Sequence, residues 1–469
     1  MSGSAESSPE NKIRGPGTTF AEERDHSPVP RVLTFADAFA VQFSLIALAS
    51  SILGVFDGLQ SAGPSFFWAW VLGGALQLCI GISIARITSA YPVSAPCYQA
   101  VRQRGGGALA WMVGYLLIVG YLAAAMYFNH ALAPYLLQIV GVTHPTGAES
   151  LIVAVALLAV QSLINVQAIS FAALISRATA AIMIAAIAAA VGALLLAGMR
   201  QEPLFLFNSS GTAVHEHVPA FLLALLQPAG IISTFDSVGN LADEVRLPRT
   251  TVGRGVVAAN LAAYILGLVL IAVPLLAVAD LGKAMHAASP LVYIIQVRAS
   301  PALALAFEVV AMIALFTTSL MLQASAARAL STIARQSGVL GAGLLSTRNK
   351  NNAPTAAVVC CAIIAGLPMF WAPVEFALGE TGTEAWAAGY GITIAVFLLA
   401  ELRGRRLSAR AQRFWDSGTV NDTCAVVGSL ALVVLLPIPY IASIPIGIAA
   451  TIGIGLLLYR LRVYPRVAA

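Results

Sequence analysis

The residues best equipped for chemistry in this sequence are carboxylic acids embedded in apolar runs. Asp236 lies within residues 222–249, LLALLQPAGIISTFDSVGNLADEVRLPR, a stretch that starts as a membrane-spanning helix. An ionisable side chain at membrane depth is expensive, and by default it marks a functional site. Pro228 cannot donate to the helix ladder there, and Gly230 and Gly239 loosen it further. The run closes on Asp243 and Glu244, with Arg246 and Arg249 just after. A comparable interruption at residues 48–58, LASSILGVFDG, carries Ser50, Ser51, Gly54 and Asp57. Glu308, Glu380 and Glu384 lie in later apolar runs, the last two one turn apart on one helix face.

A spanning helix that breaks in mid-bilayer frees peptide groups. The new helix N-terminus attracts anions, and the unpaired carbonyls attract cations. Many secondary transporters build a site for a small charged solute in this way. Asp236 then reads as an ammonium contact or gate; the alternative is a partner for the broken helix's own terminus. Ser50, Ser51 and Gly54 read as solute contacts, or as small residues for close helix packing. Glu380 and Glu384 read as proton-coupling or cation-attracting groups, or as solvated carboxylates of a wet outer vestibule, with Asp57 and Glu308 adding acidic character. Gln323 and Ser325 read as an ion site facing the first interruption, or as polar packing. Asp243 and Glu244 form a cytoplasmic charge network with Arg246 and Arg249, structural or gating.

Other chemistries find no residue set. His215-Glu216-His217 lacks a third strong ligand and has the pattern of a solvated loop, so no metal is expected. Cys79, Cys97, Cys360, Cys361 and Cys424 fit no ligand spacing and read as small apolar residues. There is no nucleophile–base set, paired catalytic acid or nucleotide-binding P-loop, so neither an enzyme nor a cofactor is expected. The net charge of +5 collects in alternate loops, which points to membrane topology and not to nucleic acid.

These residues must be positioned by helices in lipid. Apolar residues make up 59% of the chain and charged ones 10%, against roughly 25% charged in a soluble domain. Apolar runs near 20 residues recur without the period-2 alternation of a barrel. The expected fold is all-α integral membrane, with about twelve transmembrane helices. They fall near 35–63, 66–90, 109–140, 150–166, 171–198, 222–249, 255–279, 301–335, 354–371, 379–399, 424–440 and 444–461. Residues 1–30, rich in Ser, Pro, Gly and charge, are expected to form a disordered cytoplasmic tail. The transporter domain then covers 31–462, with a short cytoplasmic tail at 463–469. With both termini inside, the outer loops hold only Arg200, Lys283 and Arg298 of the 26 basic residues. The cluster from Arg403 to Arg413 falls inside, where topology explains it without anionic lipid. The two interrupted spans sit five apart, and an odd offset gives opposite orientations. That predicts a 5+5 inverted repeat, about 35–200 and 218–402, plus two C-terminal helices at about 421–461.

Several local matches, in order along the chain, resemble a known family. Ser61-Ala62-Gly63-Pro64, an aromatic run and then Ser89-Ala90-Tyr91-Pro92 resemble its first-to-second-span signature. Thr234-Phe235-Asp236-Ser237 followed by LADEVRLPR is similar to its sixth span. ARALSTIARQSG at 327–338, Asn352-Ala353-Pro354 and Gly389-Tyr390-Gly391-Ile392 resemble its eighth, ninth and tenth. The family is the amino acid–polyamine–organocation (APC) transporter superfamily, nearer its amino acid/choline/GABA permease branch. The resemblance implies an alternating-access transporter. The substrate carboxylate would meet backbone N–H groups at Ala49, Ser50, Ser51 and Gly54. Its ammonium would meet carbonyls and acids across Ile231, Ile232, Ser233, Thr234, Phe235, Asp236 and Ser237, with Phe235 as an aromatic lid. Departures fall mostly at the cytoplasmic gate. Arg86 and Gln336 stand where the family carries acids, Ala95-Pro96 replaces Gly-Gly, and Glu380 takes a place usually small and polar.

The expected function is secondary active transport of an amino acid or small amine, driven by protons, with Na+ as the other candidate ion. The alternatives are an uncoupled exchanger or facilitator of polyamines or quaternary amines, and a membrane receptor or channel-like protein. The expected partners are the small-molecule substrate, the ion and the lipid bilayer. The expected location is the inner or plasma membrane.

Overall fold

The computed structural model describes residues 29–46, 58–59, 62–209, 221, 224–225, 227–287, 289–339, 341–403, 424 and 427, without side chains at 229, 372–381 and 383. Apart from an isolated parallel bridge between Leu33 and Val245, the regular structure of these residues is helical. In chain order the helices are α1 (Phe35–Leu45), α2 (Phe66–Ala90), α3 (Pro96–Arg104), α4 (Gly107–Ile139), α5 (Gly147–Asn165), α6 (Ile169–Leu196), α7 (Gln227–Ile231), α8 (Ser237–Asn240), α9 (Pro248–Ala277), α10 (Leu281–His286), α11 (Pro290–Arg298), α12 (Pro301–Ser337), α13 (Ala342–Ser346), α14 (Thr355–Gly366) and α15 (Ala372–Leu402). Seven helical segments among the described residues are long and apolar enough to cross a bilayer, in α2, α4, α5, α6, α9, α12 and the second half of α15. Their bounds lie close to those expected from the sequence, except that α15 starts at Ala372. The expected spans at 424–440 and 444–461 fall almost wholly outside the described residues, as do His215-Glu216-His217 and most of the basic cluster after Arg403.

Local chemistry sets the ends of these helices. Thr34 and Asp37 close a capping box at the start of α1, and Thr146 and Glu149 do the same for α5. Ser300 caps α12 ahead of Pro301, and Gly338, at φ 64°, ends it in the left-handed region. The end of α1 is different in kind. Eleven residues rise about 16 Å, half the thickness of the hydrocarbon, before Ile46 turns extended at ψ 108°. Thr318 of α12 donates its hydroxyl to the carbonyl of Ser44, 2.6 Å away, meeting one acceptor of that open end.

The helices pack as two groups. α1, α2, α7 and α9 pack together on one side; α4, α5, α12, α14 and α15 pack together on the other, and α6 touches both. The second group is fastened by amides and hydroxyls at membrane depth. Asn129 and Gln161 exchange hydrogen bonds of 3.0 and 2.8 Å between α4 and α5, and Ser319 of α12 joins both. Gln323 accepts from Asn165 at 2.8 Å and donates to Ser162 at 2.7 Å. Such bonds hold because unpaired polar groups find no water in lipid. α4 and α15 approach closely at Gly120, where a Cβ would stand 2.5 Å from the indole of Trp386.

Candidate functional site

The stretch around Asp236 is interrupted as its sequence suggests. α7 stops at Ile231, Ser233–Phe235 leave the helical path, and α8 restarts at Ser237. Thr234 has φ 59°, the left-handed region that a β-branched residue avoids. Backbone strain of this kind costs about 1–3 kcal/mol and persists only where the surroundings impose it. The Thr234 hydroxyl donates to the Ser233 carbonyl at 2.7 Å. The Thr234 carbonyl is turned toward α1, where it accepts from Gln42 Nε2 at 3.4 Å. Gln42 is fully buried, and its Oε1 has no hydrogen-bond partner among the described residues.

Asp236 is 1% exposed and stands at the N-cap of α8, yet its side chain makes no cap bond there. The carboxylate reaches across to the other helix group. Tyr121 of α4 donates its hydroxyl to Oδ1, and Tyr390 of α15 donates to the same oxygen at 2.6 Å. Asn240 Nδ2 reaches Oδ2 at 3.4 Å. Tyr121 in turn accepts from Ser237 Oγ at 3.1 Å and Asn240 Nδ2 at 3.4 Å, so the donors are ordered toward the carboxylate. Two phenols and a carboxamide meet this charge in place of a cation. Asp236 thus links the two groups of helices. Phe235 is buried with its ring 5.5 Å from Tyr390, and Ser237 offers its carbonyl to Ser325 Oγ at 3.4 Å. Ile231 and Ile232 are buried beside them.

Below the break the chain turns through Ala242–Glu244 into an ionic network. Arg328 of α12 donates from Nε to Glu244 Oε2 at 2.9 Å, with side-chain exposures of 1% and 4%. Arg348 approaches Glu244 at 3.6 Å and Asp243 at 3.8 Å. Asp243 also accepts from the Ser94 hydroxyl at 3.0 Å. Burial pulls the Arg348 guanidinium below its ordinary value, against the two acids that push it up. The expected partners Arg246 and Arg249 are thus corrected to Arg328 and Arg348. The reason is the Leu33–Val245 bridge: with Val32 and Leu33 donating to the Glu244 carbonyl, the strand-like segment leaves Arg246 exposed, reaching the Arg31 carbonyl at 3.2 Å.

The departures at this end have partners of their own. Arg86 pairs with Glu401 at 3.0 Å, and Arg102 donates to Gln336 at 2.8 Å. Arg177 pairs with Asp37 at the start of α1, at 3.1 Å. Gln323 accepts from Asn165 and donates to Ser162 between α5 and α12. Glu384 is 8% exposed, and Glu308 is partly buried. Ala49, Ser50, Ser51, Gly54 and Asp57 lie outside the described residues; Glu380 lies in the α15 backbone, with its side chain outside them. The sequence reading missed Tyr121, Gln42 and Arg348. Tyr121 sits in an uninterrupted apolar run and Arg348 in a basic loop, so neither differed from its surroundings. Arg328 and Tyr390 did carry a signal, a cation and a phenol inside motif-bearing helices.

Comparison with known proteins completes the site. The family model described as "Amino acid permease" matches residues 33–465. "Amino-acid permease 2" of Neurospora crassa is 28% identical over 289 residues, 56% of this chain and 52% of that protein. "Amino-acid permease BAT1" of Arabidopsis thaliana is 25% identical over 255 residues, 49% and 48% of the two chains. The chain therefore spans about half the length of these curated relatives. An uncharacterized transporter of Mycobacterium bovis is 25% identical over 431 residues, 89% of each chain. With the profile spanning nearly its whole length, a helix broken at a buried aspartate and apolar helices throughout, the chain is a multi-pass membrane protein that belongs to the amino acid permease family of the APC superfamily.

Proposed function

We propose that this protein is a secondary active transporter of an amino acid or a related small amine, working by alternating access. The observation that carries the reading is Asp236, a buried acid at a strained helix break, held by phenols from the opposite helix group. An incoming ammonium competes with Tyr121 and Tyr390 for Oδ1, so substrate and helix contact share one atom. Phe235 covers the ligand, and Ala49, Ser50, Ser51 and Gly54 supply N–H groups to its carboxylate. Glu244, Asp243, Arg328 and Arg348 form the inner gate, since they join the helix groups on the side toward which α8 runs.

The full architecture belongs to this reading: twelve spans, a 5+5 inverted repeat at about 35–200 and 218–402, extra helices at 421–461 and both termini in the cytoplasm of an inner- or plasma-membrane protein. The short α1, which ends at an extended Ile46, and the non-helical Ser233–Phe235 after α7 support it. Protons drive uptake, with Glu384, buried in α15, as the coupling acid and Glu380 one turn before it. Uncoupled exchange of polyamines or quaternary amines is the second reading, favoured by the acceptor-rich break.

The test is uptake into proteoliposomes of the full chain. Saturable uptake stimulated by an inward proton gradient is expected, and Asp236→Ala removes it while expression persists. No saturable uptake of any amino acid or amine refutes the transporter reading. Gradient-independent exchange favours the second.

A further inference from the structure

Thr234, Phe235, Asp236 and Ser237 form a single turn. The Thr234 carbonyl accepts from the Ser237 N–H at 3.0 Å, which puts Phe235 and Asp236 at the two central positions. Asp236, at φ −98° and ψ 0°, has the backbone typical of the second of them. The ring and the acid offered to a solute are therefore set by the direction of one carbonyl.

That carbonyl has a second donor, Gln42 Nε2 of α1, at 3.4 Å. α1 and the stretch from Thr234 to Arg246 are in this way tied at both ends. At one end Leu33 lies beside Val245, and the Arg246 N–H donates to the Leu33 carbonyl at 2.8 Å. This tie is made by backbone alone. The other tie hangs on the carboxamide of Gln42. Gln42 is 0% exposed and Thr234 1%, so water does not compete for the bond. Thr234 also needs an outside hold, since at φ 59° a β-branched residue is strained and stays only where its surroundings impose the conformation.

We propose that Gln42 is a positioning residue of the solute site: through the Thr234 carbonyl it holds the turn that presents Phe235 and Asp236, and so ties the place of α1 to the aim of the acid. This rests on the transporter reading and adds the device that couples the first helix to the break. A donor on a long arm is what the role requires. Methionine would fill the same space and bring no donor.

The experiment measures KM and kcat for uptake by the full chain in proteoliposomes, with each common amino acid, putrescine and choline as radiolabelled probes. Gln42→Met should raise KM about fivefold, the worth of one neutral hydrogen bond, and change kcat less. Gln42→Asn, whose amide sits on a shorter arm, should act in the same direction and covers the case in which the methionine variant does not fold. Thr234→Gly makes the left-handed backbone unstrained, so Gln42→Met in that background should raise KM by less than twofold. A KM unmoved in the folded Gln42 variants shows a space-filling role and overturns the assignment, while wild-type uptake stands. An equal rise with and without Thr234→Gly overturns it too, because Gln42 would then act elsewhere than on the turn. Absence of saturable uptake of every probe by the wild type sinks the transporter reading and this one together.

Discussion

Replacing Arg328 with methionine keeps the length of the side chain and removes its charge, leaving Glu244 at 4% side-chain exposure with only Arg348, 3.6 Å away. Truncating one partner of a buried ion pair costs about 3–5 kcal/mol, chiefly because the survivor stays desolvated. Arg348 still attracts Glu244, which puts the expected loss at the lower end, about 3 kcal/mol. Glu244→Leu should cost a similar amount by stranding Arg328, which is 1% exposed. The double variant removes both charges, so its loss should fall short of the sum by about 2 kcal/mol or more. Denaturant unfolding of the purified protein in detergent, followed by tryptophan fluorescence, measures the cycle. The same variants report on gating through Cys97, which is fully buried in α3. Its labelling by a hydrophilic maleimide, read by peptide mass spectrometry, should quicken when the pair is broken. Additive losses within about 0.5 kcal/mol, with unchanged Cys97 labelling, would refute the claim that this pair holds the two helix groups together.

Three further outcomes are expected. Tyr390→Phe deletes the 2.6 Å donor that competes for Asp236 Oδ1 without changing the ring beside Phe235, and should tighten substrate affinity about tenfold, the worth of one charge-assisted bond; ligand-dependent thermal shifts measure it. Gly120→Ala places a methyl 2.5 Å from Trp386 and should destabilise by about 1–3 kcal/mol, with recovery in Gly120→Ala/Trp386→Leu if the clash is the cause. At the start of α10 the backbone N–H of Lys283 holds the Asp280 carboxyl below its ordinary value. Asp280 therefore adds stability above the ordinary carboxylate pKa, and loses it as pH falls through the depressed one. Asp280→Asn should remove that acid-side component from a thermal stability profile and leave the neutral region shifted by a constant.

The helices of the described chain were legible in the sequence because lipid permits few alternatives. A run of about 20 apolar residues must satisfy its own peptide groups, and capping residues such as Thr34, Thr146 and Ser300 mark where it begins. The break at Asp236 was legible for the same reason, since proline, glycine and an acid have no ordinary place in such a run. What the acid touches was not. Tyr121 and Tyr390 lie 115 and 154 residues from Asp236 along the chain, and Arg328 lies 84 residues from Glu244. A periodic pattern tells each helix which face to bury, and leaves open which helix will meet it. Arg246 and Arg348 are equally charged in the sequence. Only the bridge of Leu33 to Val245 turns one outward, and only the packing of α12 beside the Ala242–Glu244 turn brings Arg328 to Glu244. Composition and local pattern determined that the chain enters a membrane and where it breaks. The tertiary structure alone decided the partners of its buried charges, because desolvated groups accept whichever donors the packing of distant helices delivers.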